Sequence, residues 1–401
     1  MKTRGFLGLV ALAAITLGTS CSNDELYNDH SPENAIGFST YLGNSANTRA
    51  SVFTTDDLKS DGFGVYAYYT GQTLWENSNL TGPNFMNNTK VTFDETIDPD
   101  GAWTYSPLKY WPNTLGDKVS FFAYAPWTDN ENGDLVKVNN GIIAFTVAND
   151  VTEQIDLTAV TEPKKNVAKG ALDQKVEFSF KHVLSRIEFT LRAAADLAEA
   201  GGEINEGTII ILNEIKIGDY KNTDGTESAL DKFYTNANYS ILTNKWSAQT
   251  GRQFFTLDAD NFIDGSNVLS DNETKWFKHG TDGFIISSAG ITYNNEQRNL
   301  IDEDNYIMII PQTITELPVY VNYTVKTVGK NAAGEDDNSE VINQYTTTIS
   351  SISFEQGKVY KFNLVLGLST VELSANLEDW DSSITENAVS LPLNTSTTPV
   401  P

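Results

Sequence analysis

Apolar residues at every second position recur through most of this 401-residue chain. Ile36, Phe38, Thr40 and Leu42 share one face of such a segment, and Phe63, Val65, Ala67 and Tyr69 share one face of the next. A period of two belongs to a strand that buries one side, and a helix cannot satisfy it. Residues 119–124 and 141–147 are further strand candidates. A second series begins near residue 172, where Val176, Phe178 and Phe180 alternate with Glu177 and Ser179, and Ile187, Phe189 and Leu191 alternate with Glu188 and Thr190. Residues 209–217, 306–310 and 319–325 continue the pattern. Tyr360, Phe362, Leu364, Leu366 and Leu368 form its longest one-sided run. Polar turns rich in Gly, Asn and Asp separate these runs. Residues 193–200 are the one convincing helical patch, stopped by Gly201-Gly202.

The chain therefore reads as all-β with little helix. It is expected to form two tandem antiparallel β-sandwich domains, joined between about residues 160 and 174. Forty per cent apolar residues suffice for a core of that size. The net charge is −26, and a surface so acidic repels phosphate backbones, so no nucleic acid is expected as a partner.

Chemistry-bearing constellations are scarce. A single cysteine, Cys21, rules out an intrachain disulfide, and His30, His182 and His279 are far apart. A Cys/His zinc site cannot be built from them. The acidic loops near residues 98–101 and 129–134 lack the spacing of a calcium loop. No phosphate-binding loop and no nucleophile elbow occur. The chain is therefore expected to be no enzyme and to need no cofactor. His182, beside a strand, is expected to be a hydrogen-bonded structural residue. The aromatic cluster from Trp103 to Trp111 suits core packing, and stacking on sugar rings is its alternative.

The first residues carry their own signal. Lys2 and Arg4 precede an apolar run over residues 6–18, which has the length of a signal-peptide core and is too short to span a bilayer. Thr19-Ser20-Cys21 follows, resembling a lipobox with cleavage between Ser20 and Cys21 and lipidation of Cys21. Residues 1–20 are thus expected to be a lipoprotein signal peptide, and residues 21–34 an acidic tether. Acyl chains on Cys21 would hold the protein to the outer membrane.

Arg49 is the only arginine between Cys21 and His182. Small polar residues surround it in Gly43-Asn44-Ser45-Ala46-Asn47-Thr48-Arg49-Ala50-Ser51, between two apolar segments. Such exposed connections are where proteases cut. An arginine-specific protease acting between Arg49 and Ala50 would release the segment of Ile36, Phe38 and Leu42 from its covalent tie. If that segment fills a groove, its loss exposes an edge that recruits another chain's strand.

Several stretches in order resemble the fimbrillin family, the pilin-type subunits of bacterial type V fimbriae. They are residues 35–38, Asn47-Thr48-Arg49-Ala50, and Asp61-Gly62-Phe63-Gly64-Val65-Tyr66-Ala67-Tyr68. Trp103-Thr104-Tyr105-Ser106-Pro107-Leu108-Lys109-Tyr110-Trp111-Pro112 is similar to that family's central signature, and Val119-Ser120-Phe121-Phe122-Ala123-Tyr124-Ala125-Pro126 continues it. Residues 178–187, Ile309-Ile310-Pro311-Gln312 and residues 357–380 extend the resemblance over nearly the whole mature chain.

The resemblance implies transthyretin-like sandwiches over residues 35–172 and 173–380. It implies a structural and adhesive subunit, exported as a lipoprotein to the cell outer membrane and surface-exposed in a fimbrium. Maturation would be cleavage after Arg49, and polymerisation with other fimbrial subunits would be by donor-strand exchange. The donor would be the tail, residues 381–401, in which Val389, Leu391 and Leu393 alternate. Pro392 departs from such a strand, because it removes a backbone donor. The alternative function is a surface glycan-binding lipoprotein of a nutrient-uptake system.

Overall fold

The computed structural model describes residues 34–42, 53–97, 100–130, 135–170, 174–194, 208–219, 232–263, 277–280, 283–287, 298–301, 305–327, 329–335, 337, 339–368, 371–380, 389–391 and 395–399. The expected strand series is present. In chain order the N-terminal half contains β1 (Gly37–Leu42), α1 (Thr55–Asp61), β2 (Phe63–Gly71), β3 (Met86–Asp94), β4 (Ala102–Thr104) and β5 (Lys118–Ala125). After these come β6 (Val136–Asn139), β7 (Ile142–Thr146), β8 (Thr158–Ala159), β9 (Lys164–Val167) and β10 (Lys175–His182).

Hydrogen bonding orders the main N-terminal sheet β1-β10-β8-β5-β2-β3-β4, with β9 also on β5. The two ends of this path face each other. Phe38 on β1 meets Phe63 on β2 and Phe121 on β5 across a shared core. β2 and β5 bury both faces, because their other side, with Tyr66, Tyr68, Phe122 and Tyr124, packs into a second and larger core. Burial on both faces explains why Phe63–Tyr68 and residues 119–125 read as nearly unbroken apolar runs.

The halves are not separate beads. β10, which the sequence places at the start of the second unit, bonds to β1 and β8 of the first. β7 pairs with Asn236–Ser240, which pairs in turn with Lys245–Thr250, so one four-stranded sheet draws on both halves. In the C-terminal half, Ser185–Ala193 runs parallel to Lys358–Leu366, which pairs with Val371–Asp379. Thr208–Ile217 pairs with Leu317–Thr327, and that strand pairs with Ser339–Ile349. The inner faces of these sheets share the larger core.

The helical expectation differs in part. Ala193 ends a strand rather than starting a helix, and residues 195–200 lie outside the described residues. A helix forms instead at α1. Thr54 caps it reciprocally with Asp57, Asp56 and Asp57 favour its first turn, and Gly62 at φ 76° ends it. Its single apolar anchor, Leu58, gives no helical period to read.

Candidate functional site

Ile36, Phe38 and Leu42 are 1 %, 2 % and 2 % exposed, whereas Tyr41 on the opposite face is 58 % exposed. The period of two thus buries Ile36, Phe38 and Leu42, leaves Ser39 and Thr40 half-buried and turns Tyr41 to solvent. The backbone of this segment is held on two sides. β1 runs parallel to β10, with Phe38 opposite Val176 and Leu42 opposite Phe180. On the other side Ile36 N–H donates to Lys109 O at 2.8 Å, and Trp111 N–H donates to Asn34 O at 3.0 Å. The Tyr105 hydroxyl donates to Ile36 O at 2.7 Å.

The floor of the groove is aromatic. Phe38 stacks on Phe178 with ring centroids 5.4 Å apart and planes 17° from parallel. Tyr105 lies 5.4 Å away, and Phe63 and Phe121 present their edges at 6.2 and 6.3 Å. Burial pushes the Tyr105 phenol up to about 12, partly countered by the Lys109 backbone, so the hydroxyl stays a donor at neutral pH. Each of the three buried side chains contributes about 1.5–3 kcal/mol, and each backbone hydrogen bond about 0.5–1.5 kcal/mol net. The groove can therefore grip a strand without a covalent link.

Both flanks of the connection that contains Arg49 are anchored. Leu42 is buried before it. After it, the Phe53 N–H donates to Asp156 Oδ2 at 2.8 Å, and the same oxygen lies 2.8 Å from His182 Nδ1. The His182 ring stacks on Trp380 at 4.4 Å and is 2 % exposed. His182 is thus held in packing, as its place beside a strand suggested.

Of the other residues singled out in the sequence, Ser20, Cys21, Arg49, Ala50 and Leu393 lie outside the described residues. Val389 and Leu391 belong to a short strand opposite Leu377 and Ala375, and Thr395–Pro399 pairs with Tyr345–Ile349. The aromatic cluster is engaged by the protein itself. Trp111 is buried, and Trp103 packs on Phe63 and Phe93 at 4.9 and 5.2 Å. The sequence places Phe63 and Phe178 on buried faces, but it does not bring them together with Tyr105 and Phe121 as the lining of one groove. Their common signal was an aromatic on the buried face of each neighbouring segment. Among the described residues no group of three or more His, Cys, Asp or Glu could hold a metal ion.

A family model described as fimbrillin-like matches residues 48–380. Among solved structures, a fimbrial protein from Bacteroides vulgatus is 22 % identical with a TM-score of 0.61, over 86 % of this chain and 99 % of that one. It shares the fold. A candidate cell adhesion protein from Bacteroides uniformis is 17 % identical with a TM-score of 0.43, over 86 % and 99 % of the two chains. No curated protein matches.

Proposed function

The chain belongs to the fimbrillin-like family, and we propose that it is a structural and adhesive fimbrial subunit assembled by strand exchange. In this reading the protein is exported as a lipoprotein, cut between Ser20 and Cys21 and lipidated on Cys21 at the outer membrane. A second cut, between Arg49 and Ala50, is made by an arginine-specific protease. The first strand then leaves its groove, and a strand of a neighbouring subunit replaces it. The tail with Val389, Leu391 and Leu393 is the segment this chain offers in return.

One observation carries the reading: the segment before the processing position fills a groove with Ile36, Phe38 and Leu42, and its strand, Gly37–Leu42, ends its sheet and is paired with β10. Removing it uncovers a bonded strand edge on β10 and an aromatic trough, the two features that recruit a strand from another chain. The anchoring of Phe53 on Asp156 supports the same reading, since the chain after the cut keeps its hold.

N-terminal sequencing of the protein from cells and from their fimbriae tests this. Fimbrial material is expected to begin at Ala50, and an Arg49→Ala chain is expected to stay out of detergent-resistant polymer. Entry of the Arg49→Ala chain into such polymer would sink the proposal.

A further inference from the structure

The lining of the groove also limits what can enter it. The Phe38 position is a slot for a flat ring, with one face against Phe178 and Tyr105 tilted over it. Phe63 and Phe121 close it edge-on. These neighbours are themselves packed together: Phe63 meets Phe178 at 5.9 Å and Phe180 at 5.3 Å. Close-packed surroundings relax only partly around a smaller side chain. An aliphatic residue in this slot leaves the face of Phe178 unstacked and forfeits the edge-to-face contacts that aromatic pairs favour.

Residues 381–401 hold Ile384, Val389, Leu391, Leu393 and Val400, and no Phe, Tyr or Trp. Whichever of them is set at the Phe38 position, the slot is underfilled. When Leu391 or Leu393 is used, Pro392 sits beside it and brings no backbone donor to the strand edge.

We propose that this groove is selective for a strand bearing an aromatic residue at the Phe38 position, and so accepts a segment of a different subunit in preference to residues 381–401 of a second copy of this chain. The proposal rests on the reading that the first strand is displaced. It adds the chemistry of the partner: an extended segment with a Phe, Tyr or Trp, an aliphatic residue two positions to one side and another four positions to the other, matching Ile36, Phe38 and Leu42.

The test uses the full chain cut after Arg49, with labelled peptides in excess as competitors for the groove. The peptides are residues 33–44, the same peptide with Phe38→Leu, residues 383–401, and that tail peptide with Val389→Phe, Leu391→Phe or Leu393→Phe in turn. The 33–44 peptide is expected to bind at least about tenfold more tightly than its Phe38→Leu form and than the unmodified tail, and one Phe-substituted tail to gain at least about tenfold. Binding of the unmodified tail within about threefold of the 33–44 peptide overturns the selectivity while leaving strand exchange intact. Selectivity is equally overturned if the Phe38→Leu peptide is undiminished or no Phe substitution helps. If no peptide enters, including residues 33–44, the displaceable strand itself is wrong and the selectivity falls with it.

Discussion

The Tyr105 hydroxyl donates to the Ile36 carbonyl at 2.7 Å while its ring lies 5.4 Å from that of Phe38. One side chain thus fixes both the height of the strand in the groove and the residue that fills the slot. Tyr105→Phe keeps the ring and removes the hydroxyl's bonds to the Ile36 and Lys109 backbones. The expected loss is about 0.5–1.5 kcal/mol for each bond in the uncut protein, measured by urea unfolding. After cutting at Arg49, the same variant should release its first strand faster, as read by mass spectrometry of the freed peptide. An unchanged release rate would leave the hydroxyl without a role in retention.

Phe38→Ala should cost much more. The side chain is 2 % exposed and has four rings around it, so its removal leaves a cavity in a packed core. About 3–5 kcal/mol is expected for a Phe→Ala change of this kind. Because the other core is built from other residues, the effect should be confined to the smaller one. Hydrogen exchange should show β1, β10 and the Trp103–Trp111 region losing protection while strands such as Lys358–Leu366 keep theirs.

Alkaline pH gives an independent test of the buried phenols. Burial pushes Tyr68, Tyr105 and Tyr360 up to about 12, and it also raises Tyr66, Tyr124 and Tyr239. In each case the folded state holds the proton more tightly than the unfolded one. Their contribution is therefore complete below the ordinary tyrosine value of 10.0 and is lost as the pH rises toward 12. Stability should be flat across these groups between pH 7 and about 9 and fall above about 10, together with the rise of tyrosinate absorbance. Ionisation of the full set of tyrosines near pH 10 with the fold intact, these six included, would contradict the burial.

Much of the groove was legible in the sequence, and the reason is local. Alternation names the buried face, so Ile36, Phe38 and Leu42 on one side and Val176, Phe178 and Phe180 on the other could be read directly. Alternation does not name the neighbour. Nothing in either run says that β1 and β10 lie parallel, because that pairing joins segments far apart in the chain. For the same reason, the pairing of β7 with Asn236–Ser240, which ties the halves together, left no local trace. The aromatic cluster around Tyr105 was visible as composition alone, and only its contacts separate a groove wall from a sugar-stacking face. The helix α1 was missed although its capping residues Thr54 and Asp57 were in view, since the single buried Leu58 sets up no period.

Asp156 is the point at which the chain downstream of the processing position is held. Its side chain is about as buried as any charged group in the described residues, and Oδ2 receives the Phe53 N–H and faces His182 Nδ1. Asp156→Ala leaves the buried Phe53 N–H without its acceptor and takes away the carboxylate beside His182. About 1–3 kcal/mol is expected for the orphaned N–H, measured by urea unfolding. The effect should also be local: Phe53 precedes the capping residue Thr54, so α1 should fray and Lys59 become sensitive to limited proteolysis in the variant. A chain that loses stability without opening near Lys59 would show that Asp156 serves the core beneath it and not the segment after Arg49.

Arg49→Lys separates the identity of the residue from the consequence of cutting beside it. Arg49 is the only arginine between Cys21 and His182, so an arginine-specific protease has one target there, and lysine removes it. If severing the connection is what frees the first strand, the chemistry of residue 49 matters only for recognition. The Arg49→Lys chain should then resist the arginine-specific enzyme and remain outside fimbriae in cells. Treated briefly with a lysine-specific protease, the purified variant should exchange its first strand for the 33–44 peptide at the rate of the arginine-cut parent, because the groove left behind is the same. Lysines within paired strands, such as Lys90 and Lys118, are protected by their backbone bonding, whereas Lys169 and Lys330 are exposed outside the named strands, so the comparison uses molecules that mass spectrometry shows to be cut at residue 49 alone. A variant that is cut at residue 49 yet keeps its strand would mean that retention does not depend on the severed connection.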